Sequence, residues 1–400
     1  MRRALVVLVA LVALGAQVSY AAPGASGAGK YIVVLKDSAD SSSVAEKHSS
    51  RYGARVAHVY KHALKGYAAT VPDSRIDELR ADDRVVSVSR DQKVTLAAQT
   101  LPTGIDRVDG ELSSTVAGNG SGSVNVDVAV IDTGIDVDHP DLNVVGGVNC
   151  STGRSYDDGN GHGTHVAGTI AAKDDSNGVV GVAPGARLYA VRVLNNRGSG
   201  SFSSIICGVD WVTARAGTIE VANMSLGGSG TDPSGSGCST GNAFHDAVCK
   251  SVAAGVTHVV AAGNSSADAK NFVPAAFDEV ITISALADFD GEPGGLGAPT
   301  CRSDVDDTFA NFSNYGADVD LIAPGVCIES TWKGGGYNTI SGTSMASPHA
   351  AGAAALYLST RPGTSPATVK SALQGAGTLD WNNVDDPDGI KEKLVNVAGF

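Results

Sequence analysis

From about residue 99 the chain alternates short apolar runs with runs of helical periodicity, and this narrows the fold more than any other feature. Residues 124–131, 186–193, 221–226, 257–262, 280–285 and 319–323 read as strands, and 162–172, 203–214, 242–253 and 344–360 as helices. Strands that are apolar throughout are buried on both faces. The pattern therefore predicts an α/β body, a mostly parallel sheet with helices on both sides. In such sheets chemistry gathers beyond the carboxyl ends of the strands. The 50 glycines fall largely in the connections with no fixed period, so a repeat architecture is excluded.

The front of the chain reads differently. Residues 31–35, 54–60, 66–71 and 84–90 suit strands and 42–52 and 74–80 helices, giving the βαββαβ order of a small ferredoxin-like α+β unit. Such a unit, without cysteine, is marginally stable alone. Ahead of it, Arg2-Arg3, the apolar run 4–15 and the small residues around Ser19 and Ala21 form the pattern of a secretory signal peptide. The expected division is 1–21 signal, 22–98 front unit and 99–400 body. No later run reaches the roughly 18 apolar residues of a membrane anchor, so a soluble, secreted, extracellular protein is expected; a monomer is expected as well.

Charge and cysteines agree with export. The front 98 residues carry a net +5 and the remainder −18, an acidic body that excludes nucleic-acid binding and suits calcium. All six cysteines lie in the body, with no Cys-x-x-Cys pair, which favours disulfides over a metal. Proximity favours Cys238–Cys249 and Cys301–Cys327, leaving Cys150–Cys207.

Four strand or helix ends carry groups that make sense together. The strand ending at Ile131 runs into Asp132-Thr133-Gly134, and Asn160-Gly161-His162-Gly163-Thr164-His165 opens a helix of small residues. Ala261-Ala262-Gly263-Asn264 ends another strand, and Gly342-Thr343-Ser344 leads into an alanine-rich helix. A serine hydroxyl needs a base, the base needs a carboxylate to fix its tautomer, and an amide donor can hold an oxyanion. Spacing alone does not choose between His162 and His165. The nucleophile elbow of another hydrolase class is excluded, because Ala346 stands where Gly-x-Ser-x-Gly requires glycine.

These blocks resemble the three signatures of the subtilisin-like serine proteases: Val130-Ile131-Asp132-Thr133-Gly134-Ile135, His162-Gly163-Thr164-His165-Val166-Ala167-Gly168-Thr169 and Gly342-Thr343-Ser344-Met345-Ala346-Ser347-Pro348. The resemblance spans about 101–398, and residues 267–272 are similar to the proteinase K branch. It implies a subtilisin-like fold and an endopeptidase needing no cofactor for catalysis. Ser344 is implied as nucleophile, His162 as base, Asp132 as its orienting acid, and Asn264 with the Ser344 N–H as oxyanion donors. Ser225, Leu226, Gly227 and Gly228, with Ala261, Ala262 and Gly263, are expected to bind protein and peptide substrates, favouring apolar or aromatic side chains because none carries charge. Asp141 and Asp175 match a calcium loop of some subtilisins. The front unit resembles the family's propeptide, an intramolecular inhibitor and folding chaperone whose tail occupies the cleft, with self-cleavage expected near residues 97–100.

Overall fold

A computed structural model describes residues 28–91, 99–233 and 237–400, so the expected signal peptide and residues 97–98 lie outside the described residues. Contacts divide the chain into two units, Met1–Leu96 and Ala97–Phe400.

The first unit runs β1 (Ala28–Leu35), α1 (Ser41–Tyr52), β2 (Arg55–Tyr60), β3 (Gly66–Pro72), α2 (Ile76–Arg80) and β4 (Val85–Arg90). The sheet order is β2-β3-β1-β4 and every pairing is antiparallel, the ferredoxin-like arrangement. Asp40 caps α1 by accepting from Ser43 N–H (2.7 Å), and Gly53 ends it at φ 67°. Val33, Leu35, Val44, Tyr67, Val71 and Leu79 fill a core on one face, while Val56, Val59 and Val86 stay exposed.

The second unit is built on β5 (Asp127–Asp132), β6 (Val144–Asn149), α3 (His162–Ala171), β7 (Arg187–Arg192), α4 (Phe202–Thr213), β8 (Val221–Met224), α5 (Ala243–Ala253), β9 (Thr257–Ala261), β10 (Ile281–Ala287), β11 (Thr308–Phe309), β12 (Leu321–Pro324), α6 (Thr343–Thr360) and α7 (Pro366–Ala376). The sheet runs β11-β10-β9-β8-β5-β7-β6, with β12 also on β10, and only the β10–β11 pair is antiparallel. Period-two alternation sorts the strands between two cores. Val128, Val130, Val221, Val259 and Ile283 pack on α3, α6 and α7; Ala129, Ile131, Ala222, Met224 and Val260 pack on α4 and α5. Helix α6 is buried around most of its girth, which is why its sequence shows no polar stripe.

The chain reverses its build direction at β5: β7 and β6 lie to one side, β8, β9 and β10 to the other. Such a switch point opens a crevice at the strand carboxyl ends. Several elements differ from the sequence expectation. Strand β6 was not anticipated, because Gly146-Gly147 interrupts its apolar pattern. The hairpin Ile328–Trp332 with Gly336–Ile340 and helix α7 were also unexpected. Strand β8 stops at Met224, leaving Ser225–Gly227 extended but outside the sheet. Disulfides join Cys150–Cys207, Cys238–Cys249 and Cys301–Cys327.

Candidate active site

Asp132 is the last residue of β5 and is fully buried. His162 opens α3, and its Nδ1 lies 2.8 and 3.0 Å from the two Asp132 carboxylate oxygens. The Thr133 N–H also donates to Asp132 Oδ1 (2.7 Å), which restrains the carboxylate. Helix α3 approaches this closely because its second residue is glycine: a Cβ on Gly163 would overlap the Gly134 carbonyl oxygen.

The N-terminus of α3 has Gly161 at its cap position, with no side chain to satisfy the first N–H groups. Asp158 does this instead, accepting from the N–H groups of Asn160 (2.8 Å), Gly161 (2.9 Å) and Thr164 (3.0 Å). It also accepts from the hydroxyls of Thr133 (2.9 Å) and Thr164 (2.6 Å), tying the end of β5 to the start of α3. Burial pulls the His162 pKa down, but the Asp132 charge and hydrogen bond, with Asp158 adding, outweigh it and leave the pKa raised.

His165, one turn on, is a different residue. It is buried, with Nε2 at 2.9 Å from Ile328 O and 3.1 Å from Asn338 O, and burial drives its pKa down to about 3. A ring locked onto two carbonyls cannot exchange protons with a substrate.

Ser344 is the second residue of α6, and its backbone is held by its neighbours. Pro348 has no N–H, so the Ser344 carbonyl lacks its helical donor. The Ser225 hydroxyl supplies one at 2.8 Å. Asn223 Nδ2 donates to Ser225 Oγ (2.9 Å), and the Ser347 hydroxyl donates to Asn223 Oδ1 (2.7 Å), closing a buried link between β8 and α6. The Ser344 hydroxyl donates to Ser225 O at 3.2 Å and makes no hydrogen bond to His162 in this structure. Catalytic hydrogen bonds are often long without substrate.

Asn264 follows β9. Its Oδ1 accepts from the Thr343 N–H (2.8 Å) and hydroxyl (3.0 Å), which turns Nδ2 the other way. The Thr343 hydroxyl accepts in turn from Gly263 N–H at 3.1 Å. Asn264 Nδ2 and the Ser344 N–H have no hydrogen-bond partner among the described residues. Both lie within 3.7 Å of where a Cβ on Gly342 would sit. Two free donors thus lie near one point at the start of α6, on residues that both line the smaller concavity.

Two concavities adjoin these groups. A groove of about 850 Å³ runs from His162 past Gly198–Phe202 to Ser225–Gly228. A smaller one of about 280 Å³ is walled by Leu226–Ser229, Ala261–Ser265, Phe272 and Val273, with Ser344 at its mouth and no charged side chain in its lining. Leu226–Gly228 and Ala261–Gly263 are therefore brought together around one pocket, while Ser225 lines the larger groove.

Of the two predicted metal ligands, only Asp141 is enclosed. Its Oδ2 accepts from Val179 N–H (3.0 Å) and the Tyr337 hydroxyl (3.3 Å), and its Oδ1 is buried without a partner. Burial raises its pKa to about 6. Asp175 is exposed and accepts from Asn177 N–H (3.1 Å) in its own loop. Gln99, read from sequence only as part of the self-cleavage segment, donates to Lys173 O (2.7 Å) and Val179 O (3.1 Å), while its buried Oε1 has no partner. Asp158 and Thr343 were also missed; capping and turn chemistry hide such residues among ordinary polar ones.

Comparison with known proteins places the chain in a family. The subtilase family pattern matches residues 123–389, and that of peptidase inhibitor I9 matches 30–97. The chain is 43% identical to subtilisin DY of Bacillus licheniformis over 304 residues, covering 75% of this chain and 98% of the relative. It is 43% identical over 335 residues to an extracellular serine proteinase of Thermus sp. (strain Rt41A), covering 80% and 73%. The crystal structure of a cold adapted subtilisin-like serine proteinase superposes with a TM-score of 0.60 at 36% identity, covering 74% of this chain and 98% of that one. This chain belongs to the subtilase family of serine endopeptidases and carries an N-terminal I9 inhibitor domain.

Proposed function

We propose that the chain is a secreted endopeptidase precursor in which Ser344, His162 and Asp132 cleave peptide bonds, first its own near residues 97–100 and then those of other proteins. The observation that carries this is the pair of unpartnered donors, Asn264 Nδ2 and Ser344 N–H, beside a serine hydroxyl and an Asp-anchored imidazole. On this reading Ser344 Oγ attacks the scissile carbonyl as His162 Nε2 takes its proton. Asp132 holds the His162 tautomer and stabilises the imidazolium. The two free donors receive the oxyanion, a charge present in the transition state and not in the substrate. His162 then protonates the leaving amine, and water repeats the sequence on the acyl-enzyme.

The substrate is an extended peptide laid along Ser225–Gly227, whose backbone lies outside the sheet and can take an added strand. The uncharged pocket of about 280 Å³ favours an apolar or aromatic side chain before the cut over lysine or arginine. The I9 unit is the intramolecular inhibitor until it is cut away. Residues 267–272 support placement in the proteinase K branch.

Calcium fits the 173–179 loop as a structural ion. Asp141 Oδ1 and Gln99 Oε1 are buried acceptors without donors, and the carbonyls of Lys173 and Val179 lie beside Gln99. A hard, oxygen-only set of this kind suits calcium, with Asp175 as an outer carboxylate. The ion would brace the loop and takes no part in the chemistry.

The deciding experiment is Ser344→Ala. The variant should accumulate as unprocessed precursor and lack peptidase activity. Active protein, or processing near residue 98 in the absence of any other protease, would overturn the assignment.

A further inference from the structure

We propose that His245, Asp232 and Glu279 form a site for a divalent transition-metal ion of the zinc class, on the far side of the substrate-groove wall from the catalytic groups. His245 is the third residue of α5, and its side chain is only 4% exposed. Its Nδ1 is engaged by Asp246 Oδ1 and Thr240 Oγ1, each at 3.3 Å. A carboxylate on Nδ1 keeps the proton there and leaves Nε2 as a lone pair, the usual outer arrangement of a metal-binding histidine.

That Nε2 faces two carboxylate oxygens, Glu279 Oε2 at 3.3 Å and Asp232 Oδ1 at 3.7 Å. Both oxygens are sealed from solvent, and neither has a hydrogen-bond partner. An ordinary histidine–carboxylate pair would align an N–H with one of them; here the distance is short and the bond is not made. Nor does a lysine or arginine among the described residues pair with either carboxylate.

The three atoms lie within 4.8 Å of one another. Around zinc, with ligand bonds of about 2.0–2.2 Å, tetrahedral neighbours stand about 3.3–3.6 Å apart, close to the two separations measured from Nε2. An imidazole with two carboxylates selects a zinc-class ion over calcium or magnesium, which take oxygen alone.

The consequence is mechanical. Asp232, His245 and Glu279 belong to three separate segments, which one ion would clamp. Phe277 packs edge-on against both His245 (5.1 Å) and Phe244 (5.5 Å), and Phe244 stacks at 5.2 Å on Phe202, which lines the large groove. The ion would brace that wall from behind, where Cys238–Cys249 already ties the preceding loop to α5.

The test is calorimetric titration of the full chain with zinc chloride in saturating calcium, with cobalt(II) absorption as a second probe of coordination. One equivalent should bind, and the melting temperature should rise by about 5 °C at a hundredfold excess over Kd. His245→Ala and the near-isosteric Glu279→Gln should each weaken binding by about tenfold or more. Glu279→Gln guards against a folding failure of the histidine variant. Absence of saturable binding in the parent, or undiminished binding in Glu279→Gln, would overturn the proposal.

Discussion

Thr343→Val isolates what holds the candidate oxyanion donor. Valine matches threonine in shape, so the substitution opens no cavity at this fully buried position. It deletes the hydroxyl that donates to Asn264 Oδ1 (3.0 Å) and accepts from Gly263 N–H (3.1 Å). The Gly263 N–H is then left without an acceptor, which costs about 1–3 kcal/mol of stability and lowers the melting temperature by a few degrees. Asn264 keeps one of its two anchors, the Thr343 N–H at 2.8 Å.

The effect on rate follows from that remaining anchor. Removing an oxyanion donor outright costs about 10²–10³ in kcat. An amide that keeps half its anchoring should lose less, about ten- to hundredfold, or roughly 1.4–2.7 kcal/mol of barrier. KM should hardly move, because the oxyanion exists only along the reaction path. Thr343→Ser keeps the hydroxyl and should stay near the parent. Hydrolysis of a chromogenic peptide anilide, with kcat and KM resolved, reads the difference. A kcat for Thr343→Val within about twofold of the parent, or an equal loss in Thr343→Ser, would refute the reasoning.

Three further outcomes are expected. Because Asp132 raises the His162 pKa, kcat/KM should fall with acid through a value above that of a free histidine. Asp132→Asn should move that limb to lower pH and cut kcat by about 10⁴; an unmoved limb counts against the pair. Chelator should lower the melting temperature of the parent but not of Asp141→Asn, which loses the buried carboxylate and the reason for a cation. Glu392 is buried with both oxygens unpartnered, and burial, with Asp386 and Asp388 adding, raises its pKa to about 8. The folded state therefore retains this proton longer than the unfolded chain, and stability present at low pH is lost as pH rises towards that value. Glu392→Gln should consequently raise the melting temperature near about pH 9 and change it little near about pH 4.

What could be read from the sequence is what repeats or ends an element. The strands β5, β8, β9 and β10 announced themselves because burial on both faces makes them mostly apolar. Asp132 and Asn264 stood out because each follows the end of such a run, His162 and Ser344 because each stands at the start of a helix of small residues. Strand β6 did not, since its face is half-exposed and its glycines carry no apolar signal. Helix α7 was legible in principle: Ser365 caps it through Thr368 N–H, and Pro366 sits at its first position. Asp158, Thr343 and Gln99 were illegible for another reason. Their partners lie on segments distant in sequence or are backbone groups, and neither leaves a residue pattern. The same holds for His245, whose two carboxylates come from separate loops.

The segment from Thr343 to Pro348 shows why the site rests on a helix rather than a loop. Thr343 orients Asn264 just beyond β9, Ser344 presents the candidate nucleophile, and Ser347 anchors Asn223 on β8. Pro348, by lacking an N–H, frees the Ser344 carbonyl for Ser225. Six residues thus tie the first turn of α6 to the ends of two strands, and the rest of that helix is packed in the core. A loop serine would need these restraints one by one; here the helix makes them dependent on each other. Loss of the Ser347 hydroxyl should therefore reach Ser344 through Asn223 and Ser225 even though Ser347 borders no part of the groove.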